Sequence, residues 1–479
     1  MKTKHSSAID SLNNFHGFPP LAGVCSFTEA ERVGYSVEVA VGYLKRFHWA
    51  MRRTWHILVS RITAEPVYEL KMGYSYHAHL LAEQVTDLRL RVSEMREPPL
   101  GLEDCPDAAL DVFFDEILCA AFNLETLTGI YGVALPSLSD NLRHYIRATN
   151  PLVDAPSIRL LQRTLTDLDG LISWGRQSLT AVAALSKKES VSAPADEFTS
   201  YLAAAGGIDG RAQRKVAVAR KRSAQPFKYD GVPRRDERFP DPFNSGVNAE
   251  VMIHADYPDK VKALMLLYKR LREIDVPEMM TSIIMQTPGK PWGYYRDMTR
   301  QLWDEARHAM MGQVGFRQLG LDWSKIAIRH AWSYELNTIL NAKERHGVLY
   351  FIEQGLMPKT GKRHEWEVAQ RSENPLLATF QDFDWADEVL HARVGRDWYV
   401  KEFPNATAAV DFGDKAWARI YAERENYAAT GLTQHRNWWP EFYRQACEVL
   451  GWEYDERIAA YKESDLETRA DLEKMGASA

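Results

Sequence analysis

Two short stretches in the second half of the chain place a carboxylate and an imidazole one helical turn apart: Glu305 and His308 in WDEARHAMMG, and Glu388 and His391 in DWADEVLHARVG. On an α-helix, positions i and i+3 share a face, so the two side chains of each pair point the same way. Two such pairs on two helices, joined by one glutamate from each of two more helices, supply four carboxylates and two imidazoles. Carboxylate oxygens can bridge two divalent metals and cancel their charge, while the imidazoles tune redox behaviour and leave positions open for dioxygen. Either motif alone arises often by chance. Two of them, each on an otherwise apolar stripe where an unpaired carboxylate is costly, carry more weight.

The partner glutamates follow from helix register. Apolar spacing predicts helices over about 258–287, 292–317, 326–354 and 375–400, arranged as two hairpins. In an antiparallel hairpin, ligands at one depth lie equally far from the turn. Glu305 is thirteen residues into its helix, and the same count back along the preceding helix lands beside Glu273. Glu278 competes, on a more apolar stripe, and Pro277 is expected to distort the helix there. The same count from Glu388 selects Glu344 over Glu335 and Glu353. Asp384, one turn before Glu388, reads as a further ligand, a surface charge, or a hydrogen-bond partner for His391, the last slightly preferred. Asp304 could serve His308 in the same way or be an exposed helix charge. His346, two positions from Glu344, faces elsewhere and reads as structural.

Glu273, Glu305-x-x-His308, Glu344 and Glu388-x-x-His391 resemble the ligand set of the ferritin-like di-iron carboxylate superfamily, and WDEARH resembles its oxygenase-like members. The resemblance covers about 260–400, under a third of the chain. It implies an all-α, ferritin-like four-helix bundle with additional helices. It further implies two iron ions, or iron with manganese, dioxygen as co-substrate, and oxidation of a small organic substrate. Electrons would come from an external reductase or ferredoxin, since the chain shows no Gly-rich dinucleotide fingerprint and no cysteine cluster. Other readings are a ferroxidase, an RNA-modifying hydroxylase and a non-catalytic helical scaffold.

The elements that must position these residues can also be read. Four long helical stretches are predicted at 28–63, 66–96, 107–148 and 155–187, so 1–187 forms a helical domain. Its segment HLLAEQV aligns weakly with HAMMGQV, as if the first half were a bundle duplicated without its ligands. Residues 188–250 read as a connector or arm containing the basic run RAQRKVAVARKR, more readily a solvated face than an RNA contact. The metal-binding bundle is expected over 251–404 and a helical extension over 405–479. A net charge of -6 gives no basic face for nucleic acid or an anionic membrane. Four scattered cysteines, and no apolar run of membrane-spanning length, fit a soluble cytoplasmic protein, with a homodimer as one use of the first half. The fourteen tryptophans and 21 tyrosines are expected to fill cores.

Overall fold

The computed structural model describes residues 16–96, 100–185, 192–247, 256–357, 361–421 and 426–463. Parts of the expected connector (188–191 and 248–250), the start of the expected bundle (251–255) and the end of the extension (464–479) lie outside them. The chain is all-helical, with no strand among the described residues. No described helix is long and apolar enough to cross a membrane.

Two compact units are present, one of residues 1–57 with 80–228 and one of 58–79 with 229–479. The division therefore falls inside the first two long helices rather than at a single connector. Numbering helices of nine residues or more, the first unit draws on α1 (Val37–Arg61), α2 (Tyr68–Ser93), α3 (Ala108–Leu118), α4 (Leu135–Ala148), α5 (Ala155–Leu185) and α6 (Ser192–Ala204). The single stretch expected over 107–148 is broken after α3, and a π-helical segment (Thr128–Ala134) leads into α4. Here the basic run finds its partners. Arg214 pairs with Asp107, Arg220 with Asp115, Lys221 with Glu197, and Arg222 with both Glu125 and Glu197.

The second unit contains α7 (Asp259–Arg272), α8 (Asp275–Met285), α9 (Trp292–Gln318), α10 (Ala331–Ile339), α11 (Ala342–Gly355), α12 (Lys362–Arg371), α13 (Pro375–Trp398), α14 (Ala406–Tyr421) and α15 (Trp439–Leu450). Two of the expected helices are each split in two. Pro277 has no N–H for the carbonyl of Glu273, and its ring crowds that carbonyl, so the helix breaks at Glu273–Ile274 and resumes as α8. The second break falls at Leu340–Asn341. Asn341 caps α11 by accepting from the Glu344 N–H at 3.0 Å, while Glu344 accepts from the Asn341 N–H at 2.9 Å. This reciprocal pair is a capping box and marks a helix start.

The helix α12 was not expected. It packs on α7 and α13, so the chain does not turn directly from α11 into α13. Close packing of α7 on α9 depends on Gly312, where a Cβ would stand 2.3 Å from the Leu271 nitrogen. The core of this unit joins Leu264, Leu267 and Leu271 of α7, Ala306 and Ala309 of α9, and Trp439, Phe442 and Tyr443 of α15. At roughly 25 cal/mol per Å² of apolar surface removed from water, such residues supply most of the favourable folding free energy.

Away from the Glu-x-x-His motifs, α8 carries a fully enclosed ionic group. Glu278 receives Lys71, Arg235 (3.0 Å) and the Ser333 hydroxyl (2.8 Å), and Arg235 also pairs with Asp275. Burial alone would raise the Glu278 carboxyl, but Arg235 and Lys71 outweigh it and hold it down at about 2. Asp275, buried beside that second carboxylate, is pushed up to about 6.

Candidate metal centre

Five of the six residues selected from the sequence converge. His391 Nδ1 lies 3.1 Å from Glu305 Oε1 and 3.4 Å from Glu388 Oε2, and His308 Nδ1 lies 3.4 Å from Glu273 Oε2. The two imidazole rings are 6.0 Å apart. Each Glu-x-x-His pair sits mid-helix on a long uninterrupted element, α9 or α13, and that rigidity holds both side chains to one face. Glu273 arrives differently. It terminates α7 at the break caused by Pro277, and the break lets its carboxylate lean toward His308.

Glu344 is not part of this convergence. Its carboxylate belongs to the capping box at the start of α11 and to an ion pair with Arg419. The count that selected it assumed one helix over 326–354 turning directly into the next, and both the break at Asn341 and the intervening α12 invalidate that assumption. Its place is taken by Glu353, nine residues further along α11, whose Oε2 lies 3.9 Å from His391 Nδ1. Gln301, one turn before Glu305, donates to Glu353 Oε1 at 3.1 Å. Glu278, the competitor of Glu273, is enclosed by its own cations on α8.

The donors form two groups that share Glu388. One contains Glu273, His308, Asp384 and Glu388; the other contains Glu305, Glu353, Glu388 and His391. Within each, one ligand-capable atom from every residue lies within 4.8 Å of the others. Asp384 is thus on the His308 side, 3.4 Å from its Nδ1, and not against His391 as first read.

The outer aspartates cross between helices. Asp387 of α13 stands 3.1 Å from His308 Nε2 on α9, and Asp304 of α9 stands 3.5 Å from His391 Nε2 on α13. Asp304 therefore serves the histidine opposite rather than His308. Both motifs read Asp-Glu-x-x-His, and that shared aspartate was the signal in the sequence for Asp387. Arg307 pairs with both aspartates and ties the two helices together. Asp387 on Nε2 of His308 turns that Nδ1 inward, as metal-binding imidazoles are usually oriented, and Asp304 stands beside Nε2 of His391 without a hydrogen bond to it.

The field at the centre is strongly negative. Burial opposes a charged imidazole, yet Asp387, Glu273 and Glu305 together raise His308 to about 10. His391 is raised well above its ordinary range by Asp304, Glu305 and Glu388 against the same opposition. Burial, with the neighbouring Glu388 charge, pushes the Glu353 carboxyl well above its ordinary value. Glu273 goes the other way, held down at about 2 by Arg270 and Lys362 in spite of its burial. A field that holds protons this firmly on imidazoles and on a carboxylate favours any cation that can take their place, with release of those protons.

The donor set fits a metal pair. Glu273 Oε2, His308 Nδ1, Glu353 Oε2, Glu388 Oε2 and His391 Nδ1 are each buried and make no hydrogen bond. Unpaired buried polar atoms are rare because each costs on the order of 1–3 kcal/mol. Here five of them, one per residue, fall within the two donor groups that share Glu388. Buried clusters of oxygen and imidazole donors such as these could hold a metal ion.

His346 is buried among aromatic rings, 5.1 Å from Tyr399 and 6.2 Å from Tyr294, as its structural reading requires. No family model matches the chain, and no curated protein or solved structure is detectably similar to it.

Proposed function

We propose that the chain is a ferritin-like di-metal oxygenase or oxidase that uses dioxygen to oxidise a small organic substrate, with two iron ions or iron with manganese. Glu273, Glu305, His308, Glu353, Glu388 and His391 would hold the metals, with Asp384 as a further donor and Glu388 between the two positions. The observation that carries this reading is the convergence of five unpaired, buried donor atoms from four helix segments that meet at the two Asp-Glu-x-x-His motifs. When bound, such a pair supplies two-electron chemistry with dioxygen.

The remaining work belongs to the chain's own side chains. Asp387 fixes His308 with Nδ1 inward, Asp304 stands beside His391, and Arg307 keeps those aspartates in register across α9 and α13. Gln301 orients Glu353. The apolar packing of α7, α9 and α15 keeps bulk water from the centre and strengthens every electrostatic contact within it. The cysteines of the described residues form no disulfide and are dispersed, so electrons would be delivered by a separate donor. The basic run is matched by acidic partners in the first unit, which favours a small molecule over a nucleic acid as substrate.

Metal analysis of protein expressed with iron supplementation, combined with Mössbauer or electron paramagnetic resonance spectroscopy, tests the proposal. Saturation with Fe(II) without oxygen should give two ions per chain, and Glu305→Ala or His391→Ala should lose them. Reduced, loaded protein should consume dioxygen. A folded chain that takes up no iron or manganese would overturn it.

A further inference from the structure

The two halves of the centre differ in a way the ligand set does not require. In the half formed by Glu305, Glu353, Glu388 and His391, neither Glu305 nor Glu353 forms an ion pair with a lysine or arginine among the described residues; the pairs they form are with the two histidines. The half formed by Glu273, His308, Asp384 and Glu388 already contains a cation. Lys362 Nζ stands 2.8 Å from Glu388 Oε1, 2.9 and 3.0 Å from the two oxygens of Asp384, and 4.0 Å from Glu273 Oε1. Three of that half's four donors thus surround one ammonium, which is fully enclosed. Arg270, also enclosed, pairs with two of the same carboxylates, Glu273 at 2.7 Å and Asp384.

We propose that Lys362 holds the place of a metal ion in the Glu273/His308/Asp384/Glu388 half, so that the two positions fill in sequence and with unequal affinity. The inference rests on the di-metal reading above and adds an order to it. The Glu305/Glu353/Glu388/His391 position binds first, because Lys362 contacts only one of its three carboxylates, Glu388, against all three in the other half. The second position accepts a metal only when the ammonium withdraws, since two cations cannot share the same carboxylate oxygens at contact distance.

The two basic residues are suited to different parts. Lys362 is the first residue of α12 and carries its charge on a flexible four-carbon stem, so it can swing away without unwinding the helix. Arg270 is fixed by two carboxylates and remains as the permanent counter-charge. Lys362 is therefore a positioning residue that sets the occupancy of the centre.

The test is an anaerobic titration of the full chain with Mn(II), followed by calorimetry and electron paramagnetic resonance. The comparison is between wild type, Lys362→Met, Lys362→Gln and Lys362→Arg, each checked for helical content by circular dichroism. Wild type should bind one ion tightly and a second at least tenfold more weakly. In the Met and Gln variants the second affinity should rise at least tenfold, and the spin-coupled signal of an adjacent pair should appear at lower metal. Lys362→Arg should keep the step. Two equal affinities in wild type would overturn the inference while leaving the di-metal reading intact, and that measurement needs no variant to fold. An unchanged step in folded Lys362→Met would overturn it equally. Absence of Mn(II) and Fe(II) binding in every form would instead remove the di-metal reading on which it rests.

Discussion

Glu344 and Glu353 lie on the same helix and differ in what surrounds them, so replacing each in turn separates a ligand from a cap. Glu344→Ala removes the capping-box carboxylate and a partly exposed ion pair with Arg419. A cap of this kind is worth about 1 kcal/mol and a partly exposed pair a few tenths more, so a loss of about 1–1.5 kcal/mol is expected with metal binding intact. Glu353→Gln keeps the shape and the Gln301 contact region, and because burial beside Glu388 keeps this carboxyl protonated without metal, it removes no charge from the empty centre. After chelation, this variant should therefore unfold no earlier than wild type. Loaded with metal, the order should reverse. A hundredfold loss of affinity removes about 2.7 kcal/mol of the stabilisation that saturating metal confers. Thermal and denaturant unfolding with Fe(II) or with chelator, alongside metal content per chain, reads both effects. Full metal content in Glu353→Gln together with loss in Glu344→Ala would return the ligand role to Glu344 and refute the geometric reasoning.

Three further outcomes are expected. Asp387→Asn weakens the hold on His308, and Asp304→Asn the hold on His391; each should lower metal affinity by about 10–100-fold in a competitive chelator titration, with helical content unchanged. Gly312→Ala puts a methyl 2.3 Å from the Leu271 nitrogen, forcing α7 and α9 apart; a loss of about 1–3 kcal/mol in denaturant unfolding is expected, with weakened metal binding as Glu273 retreats. Glu278 is held at about 2, below its ordinary value, by Arg235 and Lys71. A carboxyl depressed in the folded state contributes stability that is present above its unfolded value and lost as pH falls through the folded one. The wild-type chain should therefore lose on the order of 3 kcal/mol from this group between about pH 4.5 and 2, and Glu278→Gln should flatten that part of the acid-unfolding profile.

The spacing Asp-Glu-x-x-His determines by itself that Glu305 and His308, like Glu388 and His391, share a helix face, because three-residue spacing is a property of the helix and needs no partner. The all-helical class, the course of α9 and α13, and a distortion at Pro277 were legible for the same local reason, whereas the full break that leaves Glu273 at a helix end was not. The capping signal Asn-Ala-Lys-Glu at 341–344 was legible as well, yet a register count that assumed an unbroken helix passed over it and selected Glu344. What lay beyond local reading depends on which helices meet and at what depth. Glu353 reaches the centre only because α11 starts late and α12 intervenes before α13. Asp304 and Asp387 serve the histidine opposite because α9 and α13 face each other. Lys362 comes from a helix that the apolar pattern did not announce, and only the folding of α12 against α7 and α13 brings its charge among three carboxylates. Helix faces follow from spacing along one chain segment, whereas the balance of charge at a buried centre is set by what several segments enclose together.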